Sequence, residues 1–322
     1  MSRKLLGTVA CAVAAALMLV SGCSGAQPTG FGGAAGGGEN AVRFVQQPWA
    51  DLVVETELAM QVLNKLGYTA STQEVAVPLA AEALATGRAD AYLGNWWPSQ
   101  EAVFTKHIDS GAVTVVGTVL EGTEYAPAVP GYVATGLGVR SLADLDQHAD
   151  AFGRKIYGIE PGAPGNETIS QAIAKDAYGL GDWELVASST EAMLAEVSRR
   201  AATDQPIVFL GWSPHWMTTE YDLHFLDDPQ KVWAGAGQVR SLTRAGLAKD
   251  DPNLARFISQ IKVDTTTASD FIRQVDKDGK PAATVAQEWM KAHPDQVTAW
   301  LDGVTSRGGE PAAKVVLATA GG

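Results

Sequence analysis

Short apolar runs alternate along the chain with longer stretches in which the apolar positions recur at helical spacing. Strands are predicted at residues 41 to 45, 73 to 79 and 89 to 93. Between the first two strands, a helix is predicted to begin at Asp51, whose carboxylate suits an N-cap, and to end at Gly67. This order of elements predicts a parallel sheet with helices packed on it.

The same order recurs in the second part of the chain. Residues 155 to 159, 183 to 187 and 207 to 210 are predicted strands with helices between them. Upstream, residues 112 to 119 and 128 to 134 are predicted as two separate strands, joined by a first crossing between two lobes. The repeat therefore predicts a second α/β lobe.

Three helical patterns follow, and we expect them to return to the first lobe. They cover residues 251 to 261, 267 to 274 and 282 to 302, and Pro294 interrupts the last one. Glycines beyond residue 305 predict a frayed terminus.

One pattern of strand, glycine, tryptophan and proline occurs twice. Residues 91 to 98 read Ala-Tyr-Leu-Gly-Asn-Trp-Trp-Pro, and residues 209 to 216 read Phe-Leu-Gly-Trp-Ser-Pro-His-Trp. Proline cannot continue the hydrogen bonds of a strand. Each copy therefore presents an indole, that of Trp96 or Trp212, at the carboxyl edge of a strand, where open α/β sheets hold ligands. We expect the two indoles to face each other across a cleft and to bind a cation.

The first 22 residues have the features of a signal peptide. Arg3 and Lys4 precede an apolar run from Leu5 to Val20, and small residues then lead to Cys23. This arrangement resembles the lipobox of bacterial lipoproteins, in which the cysteine carries the lipid; an ordinary secretory peptide is the alternative. The glycine-rich residues up to 40 are predicted to be a flexible tether.

Charge and cysteine content narrow the possible partners. The chain has 36 acidic and 24 basic residues, and loss of Arg3 and Lys4 with the signal peptide would take its net charge from −12 to −14. This balance argues against nucleic acid as a partner. Cys23 would be the only cysteine of the mature chain, so no internal disulfide is possible. The five histidines are scattered, and we expect neither a metal nor a cofactor.

Motifs typical of enzymes are missing from the sequence. We find no G-x-S-x-G elbow, no H-E-x-x-H, no Walker sequence and no G-x-G-x-x-G after a strand. Ser213 with His215 is the only local pair that a hydrolase could use. The sequence therefore predicts a binding protein rather than an enzyme.

Three stretches together resemble a known family. They are Tyr92 to Pro98, Gly153 to Gly162 and Ile207 to His215, and they are similar to segments of the substrate-binding proteins of ABC importers for quaternary ammonium compounds, choline-binding members above all. The similarity extends from about Val42 to Gly303. It implies an α/β, two-lobed periplasmic-binding-protein-like fold of type II, in which each lobe is a mostly parallel sheet flanked by helices.

The order of the predicted elements also indicates how the chain is divided, with two hinge crossings expected at about residues 120 to 127 and 211 to 218. The expected parts are a signal peptide at 1–22, the lipidated cysteine with its tether at 23–40, a discontinuous first lobe at 41–122 plus 216–305, a second lobe at 123–215 and a C-terminal tail at 306–322.

Members of this family enclose the trimethylammonium group in an aromatic box. The matching positions here are Trp49, Trp96, Tyr125 and Trp212. Tyr132 or Tyr157 could supply the fourth ring instead of Tyr125. A quaternary ammonium cannot donate a hydrogen bond, so ring faces suit its recognition.

A carboxylate and an asparagine hold the choline hydroxyl in these relatives, and the matching positions are Asp51 and Asn166. An ionised Asp51 would attract a cation and repel the carboxylate of a betaine. Either residue could instead only cap a helix. The loop reads Ala163-Pro164 where the family has polar residues, and its backbone N–H groups could bind a carboxylate, so glycine betaine stays an alternative.

The predicted function is therefore that of an extracytoplasmic substrate-binding protein, anchored to the cell membrane through Cys23, which delivers choline or a related quaternary amine to the permease and ATPase subunits of an ABC importer. We expect a monomer. A receptor for glycine betaine or proline betaine is the alternative, and a secreted hydrolase of choline esters is a more distant one.

Overall fold

Strands and helices alternate as the apolar pattern predicts, so the α/β class is confirmed. A computed structural model of the chain describes residue 38, residues 40 to 235 and residues 237 to 318. The predicted signal peptide, Cys23 and nearly all of the tether lie outside these residues. No helix in the described ranges has both the length and the apolar character needed to cross a membrane.

The strands of the described residues are β1 (Ala41–Gln46), β2 (Thr69–Glu74), β3 (Ala91–Trp97), β4 (Val113–Val129), β5 (Lys155–Tyr157), β6 (Glu184–Val186), β7 (Phe209–Ser213), β8 (His224–Phe225) and β9 (Gly237–Arg244). The helices are α1 (Ala50–Lys65), α2 (Val77–Ala85), α3 (Glu101–Asp109), α4 (Gly131–Gly136), α5 (Ala149–Phe152), α6 (Pro164–Ala174), α7 (Thr190–Ala201), α8 (Trp216–Glu220), α9 (Leu247–Asp250), α10 (Pro252–Gln260), α11 (Thr265–Asp276), α12 (Ala282–Ala292), α13 (Pro294–Trp300) and α14 (Ala312–Ala318). Short 3₁₀ turns lie at Leu142–Asp144, Asp146–His148 and Ala177–Gly179.

Strand β4 is shared by two groups of strands. The order across the sheet is β2-β1-β3-β9-β4-β7-β5-β6, and β8 also pairs with β4. The first part of β4, up to Thr123, pairs with β9, and the part from Glu124 onward pairs with β7. Pairings of β1 and those between β5, β6 and β7 are parallel, whereas all pairings of β4 and β9 are antiparallel. Each group therefore has a parallel part that is joined through antiparallel strands.

The prediction of two strands on either side of a crossing was wrong for this region, because residues 113 to 129 form one strand and residues 131 to 136 form a helix. Glycine and proline in the stretch suggested a break. Instead, the register shifts between Glu121 and Thr123, where Gly122 has φ of 74°, a conformation that glycine adopts without steric cost.

Strand β9 was not predicted at all. Two of its inward positions are the polar residues Ser241 and Thr243, which are buried together with Val239 and Leu242. Polar residues on the buried face remove the alternation by which a strand is recognised from sequence.

The segment after Trp216 stays with the second group of strands. Strand β8 pairs with the last two residues of β4, and Met217 and Leu226 are buried in the same core as Phe209 and Leu210. Residues 217 to 226 therefore pack with the second group of strands.

The final helices match the predicted stretches, and Pro294 separates α12 from α13. The expectation of a frayed end was wrong for residues up to 318. Helix α14 buries Ala312 and Val316, and the Lys65 Nζ atom donates a hydrogen bond to the Val316 carbonyl at 3.1 Å.

Candidate functional site

One cavity is lined by residues from both groups of strands. Its volume is about 400 Å³, including its opening to solvent. The lining residues are Trp49, Asp51, Trp96, Ser99, Gln100, Tyr125, Ile159, Pro164 and Trp212. The cavity thus gathers four of the aromatic residues singled out in the sequence and one buried carboxyl group.

Strand ends and a helix start bring the aromatic rings together. Trp49 precedes α1, and Trp96 is the penultimate residue of β3. Tyr125 on β4 lies directly opposite Trp212 on β7. The ring centroids of Trp96 and Tyr125 are 6.1 Å apart, with the planes tilted by 58°. The two halves of the fold therefore each contribute rings to one cavity.

Tyr132 and Tyr157, the alternatives for the fourth ring, make hydrogen bonds away from the cavity. The Tyr132 hydroxyl donates a hydrogen bond to the Gln205 carbonyl at 2.8 Å, and the Tyr157 hydroxyl accepts one from Arg200 at 2.8 Å. Neither tyrosine lines the cavity. Tyr125 does, and its hydroxyl lies close to Gly165. A side chain at Gly165 would collide with that hydroxyl, since an added Cβ would lie 2.1 Å from it.

Asp51 lies in the first turn of α1 rather than at its N-cap, which is Trp49. Its side chain is buried, and this burial raises the pKa of the carboxyl to about 6, although the backbone N–H groups of Leu52 and of Asp51 itself act in the opposite direction. The negative charge of Asp276 also raises it.

The raised pKa has a consequence for stability. A folded-state value above the ordinary one means that folding takes up a proton between about pH 4 and pH 6. The contribution of Asp51 to the stability of the ligand-free protein is therefore lost as the pH rises through this window, and amounts to about 3 kcal/mol. An ionised Asp51 in an empty cavity is thus unfavourable, and a cation beside it would offset that cost.

Glu55 lies one turn further along α1 and is also buried. Burial, with the charge of Asp51 as a smaller cause, raises its pKa well above the ordinary value. Two carboxyl groups therefore share one face of α1, and Asp51 is the one that lines the cavity.

Asn166 is not among the lining residues, and its side chain is occupied by backbone groups. Its Oδ1 atom accepts a hydrogen bond from Ile159 N at 3.0 Å, and its Nδ2 atom donates to the carbonyls of Ile159 at 2.9 Å and Glu160 at 3.1 Å. Gly158 leaves room for it, because a Cβ there would lie 2.2 Å from Oδ1. Asn166 thus fixes the loop that follows β5.

Sequence reasoning did not identify Ser99, Gln100, Ile159 or Pro164 as lining residues. Gln100 belongs to a buried hydrogen-bond network, in which it donates to the Gly94 carbonyl at 3.0 Å and accepts from Asn95 at 3.0 Å. This network holds the strand end that carries Trp96. A glutamine after a Trp-Pro turn gives no signal of such a role in the sequence.

Trp97 and Trp216, the second tryptophans of the two repeated motifs, each make a cation–π contact with a basic side chain of the protein. The Arg240 guanidinium lies 3.7 Å from the ring centroid of Trp97, and the Lys277 Nζ atom lies 3.8 Å from that of Trp216. Neither tryptophan lines the cavity. These internal cation–π contacts distinguish Trp97 and Trp216 from Trp96 and Trp212, which line the cavity.

His215 supports a ring rather than a nucleophile. It contacts Trp212 edge to face, with centroids 4.8 Å apart. Its Nδ1 atom accepts a hydrogen bond from Met217 N at 3.1 Å, and its Nε2 atom lies 3.6 Å from Asp276. The described residues show no bond between His215 and Ser213 and no cluster of side chains that could hold a metal ion.

The comparison with known families identifies the chain's class. Residues 40 to 292 match the substrate-binding domain of ABC-type glycine betaine transport systems. The chain belongs to this family. Members of the family are transport proteins and not enzymes, which agrees with the environment of His215.

Individual relatives support the same assignment. The glycine betaine/carnitine transport binding protein GbuC of Listeria monocytogenes is 37% identical over 157 residues, which are 48% of this chain and 51% of that protein. The chain thus matches about half the length of this curated relative.

Two solved structures of the family resemble this chain over most of its length. An ABC-transporter choline binding protein in complex with choline has a TM-score of 0.84 and 31% identity, with 88% of this chain and 98% of that chain covered. The lactococcal OpuAC complexed with glycine betaine has a TM-score of 0.73 and 28% identity, with 81% and 99% covered. The two-lobed α/β fold of these binding proteins is therefore the fold of this chain.

The bonds of Asn166 generate a prediction about stability. Asn166→Ala removes three hydrogen bonds and leaves the Ile159 N–H without a partner, whereas the Ile159 and Glu160 carbonyls keep their bonds to Ser188 N and Ala163 N. We therefore expect the free energy of unfolding to fall by about 1 to 3 kcal/mol in chemical denaturation. Asn64→Ala is the matched control, because exposed Asn64 accepts one hydrogen bond from Ala70 N. We expect it to cost less than about 1 kcal/mol. Equal losses for the two variants would contradict the role of Asn166 in the loop.

Proposed function

We propose that this protein is the extracytoplasmic substrate-binding component of an ABC importer and that it binds choline in the aromatic cavity. The observation that carries the proposal is the composition of the lining. Four aromatic residues and one buried carboxyl group line the cavity, and these nine lining residues include no lysine or arginine. Such a lining suits a compact organic cation.

The chemistry of choline explains why rings would hold it. Its trimethylammonium group carries a permanent charge but no proton, so it can donate no hydrogen bond to a polar site. A ring face attracts the charge and packs against the methyl groups, and contributes about 0.5 to 2 kcal/mol when water is excluded. Four such rings approach the roughly 8 kcal/mol of a micromolar complex before ordering costs are subtracted.

The residues that would surround the hydroxyl of choline, or the carboxylate of glycine betaine, favour choline. Asp51 can accept a hydrogen bond from a hydroxyl and would repel a carboxylate at the same place. Two positions of the loop offer no free N–H group to a carboxylate, because Ala163 N donates to the Glu160 carbonyl at 3.0 Å and Pro164 has no N–H. The likeness to a choline complex is consistent with this preference. Glycine betaine is the second candidate, because the family and other relatives are named for it.

Binding would bring the two halves of the molecule together. Rings from β3 and from β7 contact the same ligand only when the cleft is closed, so the ligand would favour the closed state. We place the hinges at the change of partner in β4, near Thr123, and between residues 226 and 237.

The remaining partners follow from the family and from the N-terminal sequence. The family is extracytoplasmic and serves ABC-type transport systems. We propose that Cys23 is lipidated and holds the protein at the membrane as a monomer beside its permease and ATPase subunits.

The ring assignment predicts a contrast between neighbouring tryptophans. Trp96→Ala and Trp212→Ala should each weaken choline binding at least about tenfold in calorimetric titration, because each removes an aromatic residue that lines the cavity. Trp97→Ala and Trp216→Ala are matched controls, since their faces hold Arg240 and Lys277. We expect them to change affinity less than about threefold. Similar losses in all four folded variants would argue against the box.

The carboxyl group predicts how affinity depends on pH. A bound cation favours the ionised form of Asp51, so choline affinity should rise by up to about tenfold per unit between about pH 5 and pH 6 and level off near pH 7. Asp51→Asn should remove this slope and weaken choline more than glycine betaine. A slope that persists in the variant, or a greater loss for betaine, would overturn the role of Asp51.

A further inference from the structure

One hydrogen bond joins the two halves of the molecule at the rim of the cavity. The indole N–H of Trp49, which precedes α1, donates to the Glu160 carboxylate at 3.3 Å, and Glu160 lies in the loop after β5. Trp49 lines the cavity with its ring, whereas Glu160 does not line it. The carboxylate therefore acts on a ring of the site without reaching the ligand.

Glu160 is itself held firmly. Its Oε1 atom accepts a hydrogen bond from Thr190 N at 2.7 Å, and its Oε2 atom accepts one from the Thr190 hydroxyl at 3.1 Å. Thr190 is the first residue of α7, where the helix dipole favours a negative charge. Both oxygens are thus held by Thr190 independently of the bond to Trp49.

The backbone under Glu160 is fixed as well. Asn166 donates to the carbonyls of Ile159 and Glu160 and accepts from Ile159 N. An asparagine with no place in the cavity lining therefore stabilises the loop that presents the carboxylate to the indole.

The contact also borders a second, outer groove of about 590 Å³. The groove is lined by Gln47, Pro48, Trp49, Glu74, Val75, Ala76, Val77, Glu160, Pro161, Gly162 and Ala163. Trp49 lines both spaces.

We infer that Glu160 is a positioning residue for ligand binding: its carboxylate, held by Thr190 and by the Asn166-supported loop, captures the Trp49 indole N–H when the halves close and fixes that ring over the ligand. This inference rests on the proposed function. Because the bond joins the two halves, it forms with closure and opposes reopening, so its loss should speed ligand release and leave ligand association unchanged.

A double-mutant cycle tests the inference. Trp49→Phe keeps a ring but removes the N–H, and Glu160→Ala removes the acceptor. We expect each single variant to raise the choline dissociation rate about five- to tenfold in stopped-flow fluorescence, with an association rate within about twofold of the parent's. In the double variant, Glu160→Ala should raise the dissociation rate less than about twofold above that of Trp49→Phe, because the indole N–H that it would bind is already missing.

Glu74→Ala is the matched control for charge. Glu74 is an exposed carboxylate that lines the same outer groove, so its removal changes the local potential without touching Trp49. We expect it to leave the dissociation rate within about twofold of the parent's.

A second measurement does not depend on the stability of the variants. In the choline-saturated parent, the Trp49 indole proton should exchange slowly with solvent. An indole proton that exchanges freely would overturn the inference. The inference would also fail if the effects of the two single variants on the dissociation rate multiplied in the double variant, or if Glu74→Ala raised that rate as much as Glu160→Ala does. Each of these results leaves choline binding by the parent intact, whereas a parent that does not bind choline would refute the proposed function itself.

Discussion

A carboxylate buried among aromatic rings is the constraint on which this site depends. Asp51 is almost wholly removed from water, and that burial raises its pKa to about 6. At neutral pH the empty site therefore holds a negative charge at a cost to stability. A cation that fits between the rings would offset this cost, whereas an anionic group would increase it. The buried carboxylate thus favours cationic ligands and disfavours anionic ones, whatever further contacts they make.

One strand, β4, belongs to both halves of the fold that surrounds this carboxylate. Strand β4 pairs with β9 along its first part and with β7 along its second, so Tyr125 lies on the strand that both halves share. Trp212 lies opposite Tyr125, and Trp96 comes from the other half. Small rotations about β4 would therefore assemble or separate the rings. Trp97 and Trp216, which do not line the cavity, are instead in contact with Arg240 and Lys277 of the protein itself.

The sequence revealed those parts of the site that depend on local pattern. Trp96 and Trp212 stand at the ends of apolar strands beside glycine and proline, and this arrangement already indicated a shared cavity. Other features depend on contacts between distant residues. Asn166 binds backbone groups seven residues away, so motif position alone suggested a ligand contact that its hydrogen bonds do not support. Strand β9 was missed because polar Ser241 and Thr243 are buried, and hydrophobic periodicity cannot detect polar residues whose burial is decided by tertiary structure.

Charge, rather than shape alone, is the central element of the proposed recognition. The most direct test is a calorimetric titration of the mature domain with choline and with 3,3-dimethylbutanol, which has nearly the same shape and no charge. If ring faces and Asp51 recognise a permanent cation, choline should bind at least about 100-fold more tightly than the neutral compound. Equal affinities would mean that the cavity is only a hydrophobic pocket and would contradict the proposed recognition.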